Sequence, residues 1–500
     1  MKLGIDVGGT NTDAVILSKE GRLLGQAKQA TTPDILTGIR QTAAGVLVET
    51  GYSPERIQGI FVGTTQMLNA LYQGRGLTDT ALVRICPNPS QMKPGIGWPE
   101  GIARHIKLVE HLAGGVELDG SRRNKIDFSG KIDNLIERLK ESGCRAVAIV
   151  STFSSLHHEE EIELAALINR ALPEMSVTLS HSVGSIGFLQ RENAALLNAM
   201  LSNVMEKAIG GLSTLFSELG FRCPYWFVQN DGSLMSLEKA RAYPIMTIGS
   251  GVANSLRGAS FLTGLDNCVV VDMGGSTTEV GLVLGGEPQE LTRNSKLLGI
   301  HVNVRLPKAT SLAFGGESPI NTIDGLPQRE HRLTDVFLQL YPHTYLPRRQ
   351  LGAEVPQLEQ EEAEHVIKHV IDTLRETIDR VQPVKERLPI VLVGGGSPLL
   401  VDRLFYKYGE TIHPPGFQIC NAVGACMAPV SWQIDRIYWL NDRTKEEIVD
   451  ELTQEALIEV ERSGGVKDSI RLVQVEEIPF DYYKGEVIRL RVKATGELQL

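Results

Sequence analysis

Short apolar runs alternate with helical patterns along the chain. Residues 2–6, 14–18 and 23–30 are expected as consecutive strands. "ILTGIRQTAAGVLVETG" follows as a helix, and "IQGIFVGTT" and "TALVRIC" as further strands. "CRAVAIVST" reads as a strand, followed by a helix from about Glu159, the strand "SVTLSHS" and a long helix from about Phe188 to Glu218. The second half restarts with three strands around a second Asp-x-Gly-Gly stretch, "NCVVVDMGGSTTEVGLVLGG", so the chain reads as two copies of one α/β plan. "LPIVLVGGGSPLL" is expected as a strand running through Gly394, Gly395 and Gly396 into a helix, and "EEAEHVIKHVIDTLRETIDRV" as an amphipathic helix. The Pro/Gly-rich "CPNPSQMKPGIGWPEGIARH" and the polar stretch at about 325–356 interrupt the alternation as loops. The expected division is a first lobe over 1–190, a second over 191–434 and a small α+β appendage over 435–500.

The two copies share a motif. Asp6-Val7-Gly8-Gly9-Thr10-Asn11-Thr12-Asp13 matches Asp272-Met273-Gly274-Gly275-Ser276-Thr277-Thr278-Glu279, each between apolar runs. Paired glycines allow a sharp turn with unhindered backbone N–H groups that can donate to phosphate oxygens, and Thr or Ser adds hydroxyls. Asp6 and Asp272 end apolar strands, where an unpaired carboxylate is costly, so each is expected to face a cleft and hold hydrated magnesium. One such turn could be an ordinary hairpin. Two, with the third glycine turn at 394–396, point to a phosphorylated ligand. Neither a G-x-x-x-x-G-K-[ST] loop nor a G-x-G-x-x-G helix start is present.

Composition narrows the class. With 500 residues, 42% hydrophobic, the chain can build two or three cores. Its 50 Lys+Arg against 60 Asp+Glu leave a formal charge of -10, which disfavours a nucleic-acid partner. No apolar run approaches the roughly 18 residues of a membrane span, and a cytoplasmic protein is expected. The six cysteines have no C-x-x-C spacing and are expected as reduced, mostly buried thiols. His365 and His369 lie four apart on a helical face but have no third ligand in view, so no zinc site is expected.

These motifs resemble the actin-like ATPase superfamily of sugar kinases, Hsp70 chaperones and actin, and within it the A-type ATP-binding chain of the hydantoinase/oxoprolinase family. "DVGGTNTD" is similar to that family's D-x-G-G-T-F-T-D and "GTTQMLNAL" to its G-T-T-x-x-x-N-A-L. "QNDGSLMS" is similar to Q-S-N-G-G-x-M, "DMGGSTTEV" to D-M-G-G-T-S-T-D-V, and "NAVGAC" to N-A-x-G-A. The resemblance spans about 1–430. It implies a two-lobed actin-like fold of duplicated ribonuclease H-like domains that binds ATP and Mg2+. It also implies activation of a lactam, hydantoin or 5-oxoproline carbonyl by phosphoryl transfer, commonly with a B-type partner subunit. Amide resonance, reflected in a rotational barrier of roughly 18–20 kcal/mol, protects the bond until its oxygen is phosphorylated.

On this resemblance Gly8, Gly9, Thr10, Asn11, Thr12 and Asp13, with Gly274, Gly275, Ser276 and Thr277, form the phosphate cradle. Gly394, Gly395 and Gly396 border the adenosine, with Asn421 and Gly424 nearby. Thr64, Thr65 and Asn69 fall on the substrate side, where capping of the helix at "QMLNALYQ" is the alternative. Asp231 is a candidate acid/base from its own chemistry. Asn11 stands where the family has Phe, Glu279 where it has Asp and Val62 where it has His, and no G-F-R-D follows "TALVRIC". The substrate side is therefore left open. Two other readings stand beside the hydrolase or carboxylase: a small-molecule kinase, since Asn11 also matches the sugar-kinase D-x-G-G-T-N, with Asp231 as base; and a nucleotide-driven switch acting on a partner protein through the insertion at 325–356.

Overall fold

The structure is a computed structural model that describes the chain apart from residues 33, 90–91, 119, 122–130, 292–294, 345–356, 384–385, 405–409, 441–442 and 480–486. Among the described residues a nine-stranded sheet contains Lys2–Val7, Asn11–Leu17, Leu23–Ala30, Gly59–Thr64, Tyr225–Val228 and Leu234–Met235, extended by Val430–Trp439, Val487–Gly496 and Arg471–Pro479. A six-stranded sheet is built around Cys268–Met273, Thr278–Leu284 and Ile390–Val393, and a four-stranded parallel sheet comprises Ile106–Ala113, Thr80–Cys86, Ala146–Ser151 and Ser176–Leu179. Sheet membership cuts across the contiguous segments 1–190, 191–434 and 435–500. Val430–Trp439 passes through residue 434, and the C-terminal strands continue the sheet of the N-terminal ones.

The strand that leads into each glycine turn is covered by helices on both faces. In Lys2–Val7, the residues Leu3, Ile5 and Val7 enter the core shared with helices Ile35–Thr50 and Phe188–Glu218. Gly4 faces the other way, and a Cβ there would lie 2.3 Å from the Ala422 carbonyl oxygen. In Cys268–Met273, the residues Val269, Val271 and Met273 pack on helix Gln360–Val381, whereas Cys268 and Val270 meet Leu256 and Ala259 of helix Ser250–Thr263. Side chains alternate along a strand. Asp6 therefore shares the face of Gly4, and Asp272 the face of Val270. Both acids are delivered to the side where helices Ser250–Thr263 and Cys420–Cys426 lie.

These two helices join the sheets. Ser250–Thr263 covers the six-stranded sheet, Cys420–Cys426 packs Ala422, Val423 and Ala425 on Val15, Leu17 and Phe61 of the nine-stranded one, and the helices cross each other. A Cβ on Gly424 would sit 1.9 Å from the Asn254 carbonyl oxygen, and one on Gly258 would sit 2.0 Å from that of Cys420. The two backbones touch directly, which only glycine permits.

Several local expectations change. "SVTLSHS" stops being a strand at Leu179, and Ser180–Val183 turn into a short helix. Gly394–Gly396 run into the single 3-10 turn Ser397–Leu399 rather than a helix, with Pro398 inside it. Ile106–Ala113, directly after the Pro/Gly-rich stretch, adds a strand that the apolar pattern does not announce, and its mixed polar and apolar residues suit a half-exposed edge position. The insertion at 325–356 contains helix Leu333–Leu340, and its remainder from 345 lies outside the described residues. No helix among the described residues is long and apolar enough to cross a membrane.

Candidate functional site

The two glycine hairpins have the same register. Asp6 pairs with Asp13 and Val7 with Thr12, while Asp272 pairs with Glu279 and Met273 with Thr278. Each turn closes with one equivalent bond, Gly8 N–H to the Asn11 carbonyl at 3.0 Å and Gly274 N–H to the Thr277 carbonyl at 2.9 Å. The turns face each other across the cleft: a Cβ on Gly275 would lie 2.7 Å from Thr10 Oγ1, and one on Gly9 would lie 3.8 Å from Ser276 Oγ. Among the described residues, the N–H groups of Gly9, Thr10, Gly275, Ser276 and Thr277 have no backbone acceptor. The carbonyls of the second turn, by contrast, are occupied. Gly274 and Gly275 accept from Gly316 and Glu317, and Ser276 accepts from Ser318 Oγ. The arrangement leaves donors without competing acceptors, which is what a phosphate chain needs.

Beneath the turns lie the two acids. Asn254 Nδ2 donates to Asp6 Oδ1 at 3.1 Å, and Asn421 lies within reach of both Asp6 and Asp272. Burial pushes the Asp6 carboxyl up to about 7, with Asp13 and Asp272 adding to the rise and Asn254 and Asn421 opposing it. Burial also raises Asp272, which Ser255, Asn421 and Lys28 partly ease. Each acid rests over a glycine supplied by its parallel neighbour, Gly63 within strand Gly59–Thr64 and Gly394 just past the end of strand Ile390–Val393. A Cβ on Gly63 would meet Asp6 Oδ1 at 2.4 Å, and one on Gly394 (φ 87°) would meet Asp272 Oδ1 at 2.2 Å. Among the described residues no group of three or more His, Cys, Asp or Glu side chains is placed to hold a metal ion directly.

The remaining candidates divide. Asp13 is tied to Lys28 Nζ at 2.7 Å, and Lys28 also donates to the Gln418 carbonyl, so this acid braces the hairpin against the loop before helix Cys420–Cys426. Thr12 Oγ1 lies 3.2 Å from Thr31 Oγ1, which in turn donates to the Gly8 carbonyl. Gly395 is exposed with open space above it, while Gly396 is packed against Met273 and Gly274. Gly424 belongs to the helix crossing and is buried there, whereas Asn421 reaches the acids. Thr64 Oγ1 accepts from Gln66 N–H, and Thr65 Oγ1 donates to the Val7 carbonyl, fastening helix Gln66–Gln73 to the first strand. Asn69 lines a cavity of about 520 Å³ with Gly8, Gly9, Gln73, Arg75 and Lys207. Sequence reasoning passed over Arg75 and Lys207, the cations beside the first turn, because neither sits in a motif. Gly315-Gly316, which bind the second turn, did carry a signal in their pairing.

Asp231 is elsewhere. Its Oδ2 pairs with Lys493 Nζ at 2.8 Å, and Ser233 donates to Oδ1 through N–H and hydroxyl. Burial alone would raise it, but Lys493 and Ser233 win and hold it well below the ordinary carboxylate range. A carboxylate so stabilised is a poor proton acceptor, which counts against Asp231 in acid/base chemistry.

Comparison with known proteins matches the hydantoinase/oxoprolinase N-terminal region to residues 2–172 and the hydantoinase/oxoprolinase region to residues 191–328. The chain belongs to the hydantoinase/oxoprolinase family. It is 28% identical over 338 residues to the caprolactamase subunit alpha of Pseudomonas jessenii, covering 63% of this chain and 48% of the relative. It is 27% identical over 347 residues to the acetophenone carboxylase gamma subunit of Aromatoleum aromaticum, covering 63% and 47%. The chain thus spans about half the length of the curated relatives it matches. The crystal structure of ATP-dependent caprolactamase from Pseudomonas jessenii superposes with a TM-score of 0.81 at 21% identity, over 100% of this chain and 88% of that one. Nucleotide-free acetone carboxylase gives 0.69 at 14%, over 100% and 88%. The fold shared with these structures here carries paired glycine hairpins, one on each main sheet, and two crossing helices between the sheets.

Proposed function

We propose that this chain is the ATP-binding component of a hydrolase or carboxylase that activates a cyclic amide or related carbonyl compound by phosphoryl transfer, together with a B-type partner subunit. The observation that carries the reading is the pair of facing glycine turns, equal in register, whose N–H donors have no backbone acceptor among the described residues, above the buried Asp6 and the half-buried Asp272. Relatives named as subunits of a caprolactamase and an acetophenone carboxylase support the substrate class. In this reading the turns hold the phosphates and the amide oxygen attacks the terminal phosphorus as ADP leaves. Water then adds to the activated carbon, the C–N bond breaks and phosphate is released. Arg75 and Lys207, on the wall beside the first turn, offset phosphate charge.

Asp6 and Asp272 suit a hydrated magnesium ion, which binds through one or two carboxylates, waters and phosphates and would neutralise charge on the transferring group. The kinase alternative is the less supported one, since its candidate base Asp231 is paired with Lys493 in another cavity. ATP turnover with 5-oxoproline, hydantoin and small lactams, with and without a co-encoded B-type chain, tests the proposal. Stimulation by one of them is expected, and no stimulation in either form would defeat it.

Magnesium binding should depend on pH. Because Asp6 is held up to about 7, a cation must displace its proton below that pH. Apparent Mg2+ affinity should therefore rise about tenfold from about pH 6 to about pH 8 and then level off, the increment for one displaced proton. Calorimetric titration with Mg2+ at saturating ATP measures it, and Asp6→Asn should flatten the profile relative to wild type.

A further inference from the structure

A second cavity, of about 480 Å³, lies away from both glycine turns, between the short helix Ser180–Val183, helix Leu237–Ala242 and the start of strand Val430–Trp439. Its volume is that of a small-molecule site, which typically spans roughly 300–1,000 Å³. On one wall stands His181. Its Nδ1 is 2.7 Å from Glu161 Oε2, and the other oxygen of that buried acid accepts from Ser180 Oγ. The carboxylate fixes the ring, so Nε2 is the nitrogen left for a ligand. His158 stacks on the ring at 4.7 Å between centroids, which holds its plane as well.

The charges of the wall are almost all matched. Asp231 has Lys493 at 2.8 Å, Asp435 has Arg489 at 2.7 Å, and Glu290 has Arg305 at 3.9 Å. Lys239 Nζ has no hydrogen-bond or ion-pair partner among the described residues. Its surroundings desolvate it, and burial lowers its pKa, with Arg305 and Lys493 adding and Asp231 opposing. Gln433 Nε2 and Asn303 Oδ1, in the same wall, are buried and also unpartnered. Trp432, Tyr243 and Met246 supply an apolar surface beside them. An unmatched, desolvated ammonium next to flat apolar groups is suited to an anion with an apolar body.

We propose that this cavity is a second ligand site that takes a small organic acid, its carboxylate paired with Lys239, its body against Trp432, Tyr243 and Met246, and a hydrogen-bonding group met by His181 Nε2. The site uses no nucleotide, so it stands or falls apart from the phosphoryl-transfer reading.

Benzoate and its neutral isostere benzamide separate charge from shape. Titrated calorimetrically into the full chain without ATP, benzoate should saturate in the millimolar range and benzamide should bind at least about tenfold more weakly, the factor that corresponds to about 1.4 kcal/mol. Lys239→Met keeps the stem and should bring benzoate down to the benzamide level with an unchanged melting temperature. Trp432→Ala, on a partly exposed side chain, should weaken both ligands alike and serves if Lys239→Met folds poorly. Asp272→Asn should bind benzoate as wild type does. Failure of benzoate to saturate, equal affinity for benzamide, or unaltered binding in Lys239→Met overturns the proposal. Loss of binding in Asp272→Asn also overturns it, because the acid would then be sitting at the glycine turns.

Discussion

Asp272→Asn should yield a folded protein whose magnesium-dependent ATP turnover is at least about a hundredfold below wild type, the scale lost with one preorganised electrostatic contact at a reacting centre. The substitution keeps size and opens no cavity. It also relieves a carboxylate that burial already disfavours, so the melting temperature should hold or rise. What is lost is the charge beneath the second turn, with Gly394 too close for any compensating side chain. Turnover and thermal unfolding measured side by side decide it. Unchanged turnover in a protein of unchanged stability would place this acid away from the phosphates and undo the two-turn reading.

Asp231→Asn should behave in the opposite way, costing about 3 kcal/mol of stability, the lower end of the range for breaking a buried ion pair from one side. Lys493 is 5% exposed and would keep its charge without its closest partner. The sign with pH follows from the depressed carboxyl. The stabilisation is fully present above the unfolded value of about 3.9 and is lost as pH falls toward the folded one. Denaturant unfolding at neutral pH should show the loss, and Lys493→Met added to Asp231→Asn should recover part of it. The pH profile of ATP turnover should keep its shape. A stable Asp231→Asn protein with an altered profile would restore this residue to proton transfer.

The contrast between these acids shows what a sequence can and cannot carry. Asp6 and Asp272 were legible because their signal is local: an apolar run sets a strand, its parity sets a face, and the glycines after it set a turn. Phe188–Glu218 was legible for the same reason, as one uninterrupted helical period. Asp231 was not, because the partner that sets its chemistry, Lys493, is brought in by the far end of the chain through the pairing of Val430–Trp439 with Val487–Gly496. Gly424 likewise looks like part of a ligand motif until Asn254 is seen against it. Thr64 and Thr65 carry a family motif and also serve helix Gln66–Gln73, and the hydrogen bonds give them that second task.

The crossing at Gly258 and Gly424 bears on how such a cleft can open. Scissors keep their rivet still while the blades swing. The rivet here is a close backbone-to-backbone contact, held by a Cys420 Sγ–H bond to the Ser255 carbonyl, and Asn254, from the same helix turn, reaches straight to Asp6. The acids therefore sit beside the axis and the glycine turns further out. Opening about this crossing would part Gly9 from Ser276 more than Asp6 from Asp272, because the turns lie further along their strands from the glycine contact than the acids do.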